Sequence, residues 1–351
     1  MPAEWERQRA VQLTWPHKDT DWAPMLPEIT VVYEQMAREI SKREELLIVA
    51  PKDLLPHLRP LTSHILPFTS NDTWARDHGF ITVEEAEYIS LTSHLSPFTS
   101  KILLDFKFNG WGEKFPAELD NVINRQLYEQ NIVKGIYEDH LDFVLEGGSI
   151  ESDGKGTVFT TTNCLMAPHR NQPLTQAEIE ERLKLWLGAE RIVWINHGSL
   201  IGDDTDGHID TLVRICPDDT ILYIGCDDED DEQYEELQLM EKELQALRTI
   251  DGRPYRLLRL PMPRPIYDKD FTSNFKPQTS NFKLHRLPAT YANYLVVNGA
   301  VLVPTYNQPD LDAEAMRIIG EAFPDREIVG IDCCPVIRQH GSLHCCTMQY
   351  Y

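Results

Sequence analysis

An α/β fold is the class this sequence predicts, and three observations predict it. Short apolar runs of strand length alternate with amphipathic runs of helical spacing along the whole chain. No Pro/Gly/Ser-rich linker breaks the alternation, so residues 1–351 read as a single domain with ample length for a core. Two stretches, "TVFTTTNCLMAPHRNQPLTQAEIEERL" and "AVLVPTYNQPDLDAEAMRIIGEAF", share one order of strand, turn, Asn-Gln-Pro and helix, which predicts a repeated strand–helix module.

The elements follow in chain order. "PEITVVYEQMAREISKRE" opens on proline and carries apolar residues at helical spacing. "ELLIVAP", "HGFITV" and "KILLDFKF" are short buried strands, and "TVFTTT" is another. "LTQAEIEERLKLWLG" is a helix entered through Thr with Glu three residues on, and left through Gly. "RIVWIN", "TLVRIC" and "TILYIGC" are strands. The acidic run "CDDEDDEQYEEL" is a solvated loop feeding the helix "EQYEELQLMEKELQALRTI", whose N-terminus favours negative charge. "YLVVNGAVLVPTY", the helix "DAEAMRIIGEAF" and the strand "EIVGIDC" complete the order. The segment "LTSHILPFTS" (61–70) recurs as "LTSHLSPFTS" (91–100), identical at eight of ten positions, and reads as a local surface duplication.

Bulk chemistry removes several function classes. The net charge of −23 argues against nucleic acid, whose phosphates demand basic patches, and suits a small cation drawn into an acidic cleft. The opening "MPAEWERQRAVQLTWPH" has no apolar signal-peptide core, and no run reaches the length of a membrane helix, so a cytoplasmic location is expected. Seven scattered cysteines in such a chain are expected as reduced thiols.

Four stretches gather polar residues among apolar strands: "NDTWARDHGF" with Trp74, Arg76 and Asp77; "VLEGGSIESDG" with Glu146; "DDTDGHIDTLV" with Asp203, Asp204, Asp206, His208 and Asp210; and the tail "RQHGSLHCCTMQYY". His208 and Asp210, two apart, would share one face of a strand, and a histidine beside a carboxylate suits proton transfer. The tail lacks the C-x₂₋₄-C spacing of structural zinc, so no metal is expected, and no cofactor. On an extended strand Cys345 and Cys346 would face opposite ways, so one cavity would use only one. A nucleophilic cysteine among carboxylates, rather than oxyanion donors, suits an electrophile that is already positive. A guanidinium fits, because its planar N–H fork pairs with carboxylates.

At these residues the sequence resembles the agmatine deiminases of the guanidine-modifying pentein superfamily, which also holds arginine deiminase and bacterial peptidylarginine deiminase. "NDTWARD", "FKFNGWGEKFP", "VLEGGSIESDG", "TNCLMAPHRN", "DDTDGHIDT", "LPATYANYLVVNGAVLVPTYN" and "QHGSLHCCTMQ" carry the likeness in family order over nearly the whole chain. Where many members have a Gly-Gly-Gly run, this chain has Gln339-His340-Gly341-Ser342. The resemblance implies a five-bladed α/β propeller with pseudo-fivefold modules around a central site.

It also implies roles. Cys345 would be the nucleophile, His208 the acid and base, Asp77 and Asp210 the guanidinium clamps and Glu146 the carboxylate that orients His208. Asn293 and Gly341 would lie at the substrate. The implied activity is hydrolysis of agmatine to N-carbamoylputrescine and ammonia through an amidino-cysteine, in polyamine and putrescine biosynthesis. Arginine and peptidylarginine deiminases are the alternatives within the superfamily, and a non-catalytic polyamine binder is the alternative outside it. Trp74 and Trp111 would flank the methylene chain, and Asp204, before Asp203 or Asp206, would take the distal ammonium. Three carboxylates beside Cys345 should oppose its ionisation until a guanidinium binds. A small cationic substrate is the expected partner, neither nucleic acid nor membrane is expected, and a homo-oligomer is compatible with the chain.

Overall fold

The computed structural model describes residues 1–85, 100–268 and 285–351. The second copy of the near-repeat, save its last residue, therefore lies outside the described residues, while the first contributes the edge strand His64–Pro67.

One topology recurs five times. A lead strand pairs antiparallel with a central strand, and the central strand pairs parallel with an outer strand reached through a helix. The central strands are Ala10–Thr14, Ser100–Lys107, Thr157–Thr161, Thr220–Ile224 and Ala300–Thr305. Their outer partners are Glu45–Ala50, Ile136–Val144, Arg191–Ile195, Arg256–Leu260 and Glu327–Asp332. The lead strands, in the same order, are Thr347–Tyr350, Ile81–Glu85, Ile150–Ser152, Val213–Cys216 and Leu295–Val297. The first module thus takes its lead strand from the far end of the chain, joining residues 10–14 to 347–350. The crossover helices are Leu26–Ser41, Ile123–Glu129, Gln176–Leu187, Tyr234–Ala246 and Pro309–Ala322. The mixed α/β class stands. The propeller appears only as five separate repeats, and among the described residues no sheet closes on itself.

Local chemistry explains the elements. Leu26–Ser41 buries Ile29, Val32, Tyr33, Met36, Ala37 and Ile40, a stripe at helical spacing. Gln176–Leu187 begins with a capping box between Thr175 and Glu178 and ends at Gly188 in the left-handed region. Thr220–Ile224 is buried at every position, as a strand flanked on both faces must be. Neighbouring modules pack helix on outer strand: Leu26–Ser41 lies on Glu327–Asp332, and Pro309–Ala322 lies on Arg256–Leu260. The two stretches with matching patterns are the central strand and helix of the third and fifth modules. Among the described residues no helix is long and apolar enough to cross a membrane.

Candidate active site

Each lead strand is entered through a short turn, and these five turns bring the polar residues together. Asp77 lies in Ala75–His78, just before Ile81–Glu85, and Glu146 directly precedes Gly147–Ser149 and Ile150–Ser152. His208 and Asp210 sit at the 3₁₀ turn Ile209–Thr211 before Val213–Cys216. Asn293 precedes Leu295–Val297, and Cys345 precedes Thr347–Tyr350. Two local expectations are corrected here. His208 and Asp210 are brought together by a tight turn rather than by one face of a strand. Cys345 and Cys346 likewise lie in a turn, because the strand starts only at Thr347. The two thiols still differ: both join the apolar core, but Cys345 also lines the cavity, whereas Cys346 is wholly buried and is not among the lining residues.

The Cys345 sulfur lies 3.4 Å from Asn293 Oδ1 and 3.9 Å from Asp210 Oδ2. Asn293 holds that turn, its Oδ1 accepting from the backbone N–H of His344 at 3.0 Å and of Cys345 at 3.3 Å. Asp77 Oδ1 accepts from the Gly148 N–H at 3.0 Å and lies 3.7 Å from His208 Nδ1. Its Oδ2 accepts from the Trp111 indole N–H at 3.0 Å. Gly148 is where the three groups converge. A Cβ there would stand 2.6 Å from His208 Nδ1 and 3.0 Å from both Asp210 Oδ2 and Asp77 Oδ1.

Glu146 is wholly buried, and Arg170 Nε donates to its Oε1 at 2.8 Å. Its Oε2, both ring nitrogens of His208 and Asp210 Oδ1 have no hydrogen-bond partner among the described residues. The expected Glu146–His208 hydrogen bond is therefore not formed, although a Glu146 oxygen, a His208 nitrogen and the Cys164 sulfur all lie within 4.8 Å of one another. Those three atoms are of metal-ligating type, but the Arg170 guanidinium on Glu146 sets a fixed positive charge against any cation there.

Burial pushes the Asp77 carboxyl well up, reinforced by the charges of Asp210 and Glu146. Burial also raises Glu146, with Arg170 partly offsetting it. Burial would raise Asp210 too, yet the hydrogen bond and charge of His344 hold it below the ordinary aspartate value. His208 is lowered to about 4, chiefly by burial, so it rests neutral at neutral pH. Burial, then Asp210 and Asp77, push the Cys345 thiol well up.

A cavity of about 320 Å³ opens over Cys345, with Asp77, Trp74, Trp111 and Gly341 in its wall. Trp74 and Trp111 meet edge to face, their centroids 6.2 Å apart. Gly341 is required for the loop to cross Trp74, because a Cβ there would lie 2.1 Å from the indole. Farther out the wall carries Asp21, Asp72, Asp204 and Asp268. Of the three candidate aspartates for a distal ammonium, only Asp204 lines this space, and its carboxylate pairs with His340. Asp203 is spent on its own loop, accepting from Thr205 and Gly207, while Asp206 is held by Lys114 and Arg170.

Sequence reasoning missed Arg170 and the role of His344. Arg170 stood in the quoted "TNCLMAPHRN", but nothing in its spacing named Glu146 as partner. The tail's spacing assigns His344 no partner, yet its Nδ1 lies 2.7 Å from Asp210 Oδ2.

A family model described as Porphyromonas-type peptidyl-arginine deiminase matches residues 1–350. The agmatine deiminase of Medicago truncatula is 31% identical over 363 residues, covering 99% of this chain and 95% of its own. Among solved structures, a Porphyromonas gingivalis protein provisionally assigned as an arginine deiminase is 46% identical, with a TM-score of 0.86 over 100% of this chain and 97% of the other. The C. jejuni agmatine deiminase with substrate bound is 34% identical, with a TM-score of 0.86 over 100% and 95%.

Proposed function

The chain belongs to the Porphyromonas-type peptidyl-arginine deiminase family, and on that premise we propose that it hydrolyses agmatine to N-carbamoylputrescine and ammonia. Residues 1–351 would act as one catalytic unit. The observation that carries the substrate choice is the cavity's charge. Asp21, Asp204 and Asp268 line it together with the buried Asp72 and Asp77, whose raised carboxyls a bound cation would ionise, against Arg338 as the one arginine or lysine among the described lining residues. Agmatine brings a guanidinium and an ammonium but no carboxylate, which matches such a wall. The agmatine deiminases among its relatives support the same reading.

Asp77 and Asp210 grip the guanidinium nitrogens and hold the amidino carbon against Cys345 Sγ. The bound cation reverses the field that keeps the thiol protonated, and His208, neutral at rest, takes the thiol proton as sulfur attacks. Imidazolium then gives that proton to the leaving nitrogen, which departs as ammonia and leaves an amidino-cysteine. His208 next takes a proton from water, hydroxide adds to the amidino carbon, and collapse releases the neutral ureido product: the adduct's hydroxyl proton passes to the departing sulfur, and His208 gives up its own proton to solvent. Unpartnered Glu146 Oε2 is placed to receive the imidazolium that forms. Trp74 and Trp111 wall the methylene chain, Asn293 holds the nucleophile's turn and Asp204 exchanges His340 for the distal ammonium.

Arginine is the second reading, because Arg338 stands in the cavity wall where an α-carboxylate would emerge and the 46% identical relative bears that assignment. Ammonia release compared across agmatine, arginine and a blocked arginyl peptide separates the three activities. Agmatine turnover that disappears in Cys345→Ala and persists in Cys346→Ala is the expected result. Preference for arginine, or activity retained by Cys345→Ala, overturns the proposal.

A further inference from the structure

Asp77 and Asp210 are both buried and do the same work in the mechanism above, yet burial pushes the Asp77 carboxyl well up while Asp210 is held below the ordinary aspartate value. What differs is the group behind each. Asp77 is held by neutral donors, the Trp111 indole and the Gly148 amide. Asp210 Oδ2 is backed by His344 Nδ1 at 2.7 Å, and the other nitrogen of that ring lies 2.8 Å from Glu4 Oε2. With the proton on Nδ1, His344 donates to Asp210 Oδ2, and its Nε2 also lies 3.2 Å from Arg214 Nη2.

Glu4 reaches this point on segment 1–9, which crosses four of the five modules. The Met1 carbonyl accepts from Ser152 Oγ, and Trp5 O from Arg326. Gln8 bonds Val296 O and Asn298, and the Arg9 N–H donates to Tyr350 O. Glu4 Oε1 accepts from Val296 N and Gln349 Nε2, each at 2.8 Å. Its Oε2 pairs with Arg214, whose other arm pairs with Glu151. The charges facing His344 are therefore Asp210, Glu4, Arg214 and Glu151, with Arg76 donating to its backbone oxygen. Burial would raise Glu4, but Arg214 and His344 overcome it and hold the carboxylate ionised. The ring of His344 is thus fixed at both nitrogens, Nδ1 on Asp210 Oδ2 and Nε2 between Glu4 Oε2 and Arg214 Nη2, in one chain Glu4–His344–Asp210.

We propose that Glu4 and His344 are positioning residues for substrate capture: through them, segment 1–9 fixes Asp210 as the preset arm of the guanidinium clamp and leaves its Oδ1 for the ligand. A division of labour follows. Asp210 supplies the charge that first draws the cation, and Asp77 ionises only as the guanidinium arrives. The inference rests on the clamp role given to Asp210 above.

Two alkylating probes of Cys345 test it, read by peptide mass in the full-length protein. Chloroacetamidine carries an amidinium and needs the clamp; iodoacetamide is neutral and does not. In Glu4→Gln the amidine rate falls about tenfold, as expected for a lost charge-assisted bond, while the neutral rate stays within about twofold. Glu4→Asp recovers most of the amidine rate, and His344→Gln, which breaks the chain at its middle, repeats the selective loss. Equal falls with both probes would mean that the Cys345 turn has collapsed and would overturn the positioning role. An unchanged ratio of the two rates would overturn it as well. The ratio needs no turnover, so failure of the parent protein to release ammonia from agmatine counts against the functional proposal alone.

Discussion

Gly148→Ala should abolish most activity while leaving the fold in place. The added Cβ would meet His208 Nδ1 at 2.6 Å, and ordinary contact begins near 3.4 Å, so the ring must retreat by about 0.8 Å. The facing oxygens of Asp77 and Asp210, at 3.0 Å, must each retreat by about 0.4 Å. His208 and Asp210 are wholly buried, and Asp77 alone of the three borders the cavity. Overpacking of this kind costs about 1–3 kcal/mol of stability. A displacement approaching 1 Å at reacting groups costs about 100-fold in rate. Gly320→Ala supplies the control: its Cβ meets only Ile328 Cγ1 at 3.5 Å inside Pro309–Ala322, and a helical Gly→Ala change gains about 0.5–1 kcal/mol. Ammonia release from agmatine and denaturant unfolding, measured on both variants, give the comparison. A folded Gly148→Ala protein with kcat/KM within about threefold of the parent would refute the claim that these groups act from their present positions.

Three further outcomes follow from the same site. Thiolate absorbance should be missing from Cys345 in the free protein at neutral pH and appear when a guanidinium ligand is added; equal ionisation without ligand would rule out substrate-assisted activation. The raised Asp77 carboxyl is neutral at low pH and cannot grip a cation, so kcat/KM should fall as pH drops through that raised value. Bound guanidinium favours the ionised form, so kcat should hold to lower pH, and coincident acid limbs for the two parameters would contradict this. Trp111→Phe keeps the ring but removes the N–H at 3.0 Å from Asp77 Oδ2, and should weaken substrate capture about tenfold with little loss of stability. Unaltered KM in that variant would show that the indole serves packing alone.

Legibility in the sequence tracked how local each signal was. The helix Gln176–Leu187 announces itself through Thr175, Glu178 and Gly188, all within its own span. Central strands such as Thr220–Ile224 were visible because burial on both faces demands an unbroken apolar run. The lead strand Ile150–Ser152 was not, being only three residues long and flanked by the polar turn that carries Glu146, whereas Leu295–Val297 fell within the apolar run "YLVVNGAVLVPTY". Cys345, His208, Asp77, Glu146 and Asp210 were legible as polar residues at the ends of apolar runs, and the resemblance supplied their roles. Glu4 was not legible at all. Its partners lie 210 and 340 residues away, and no spacing rule reaches across modules.

The resting charge of the site explains how a protein can bury so much acid and remain folded. Three carboxylates, an imidazole and a thiol share a volume from which water is largely excluded, and full ionisation would be prohibitive. The structure avoids it by giving each group a different answer. Glu146 is paired with Arg170, Asp210 is backed by the His344 ring and held low, and Asp77, with only neutral donors, is pushed well up. His208 and Cys345 rest uncharged. Such a site is stable when empty and wrongly charged for catalysis, and a guanidinium corrects both at once. The cation replaces the proton on Asp77 and removes the field that opposes the thiolate. Specificity then does not depend on shape alone: a neutral urea of the same outline, such as the product, leaves Asp77 protonated and Cys345 a thiol, so it neither binds tightly nor meets an active nucleophile.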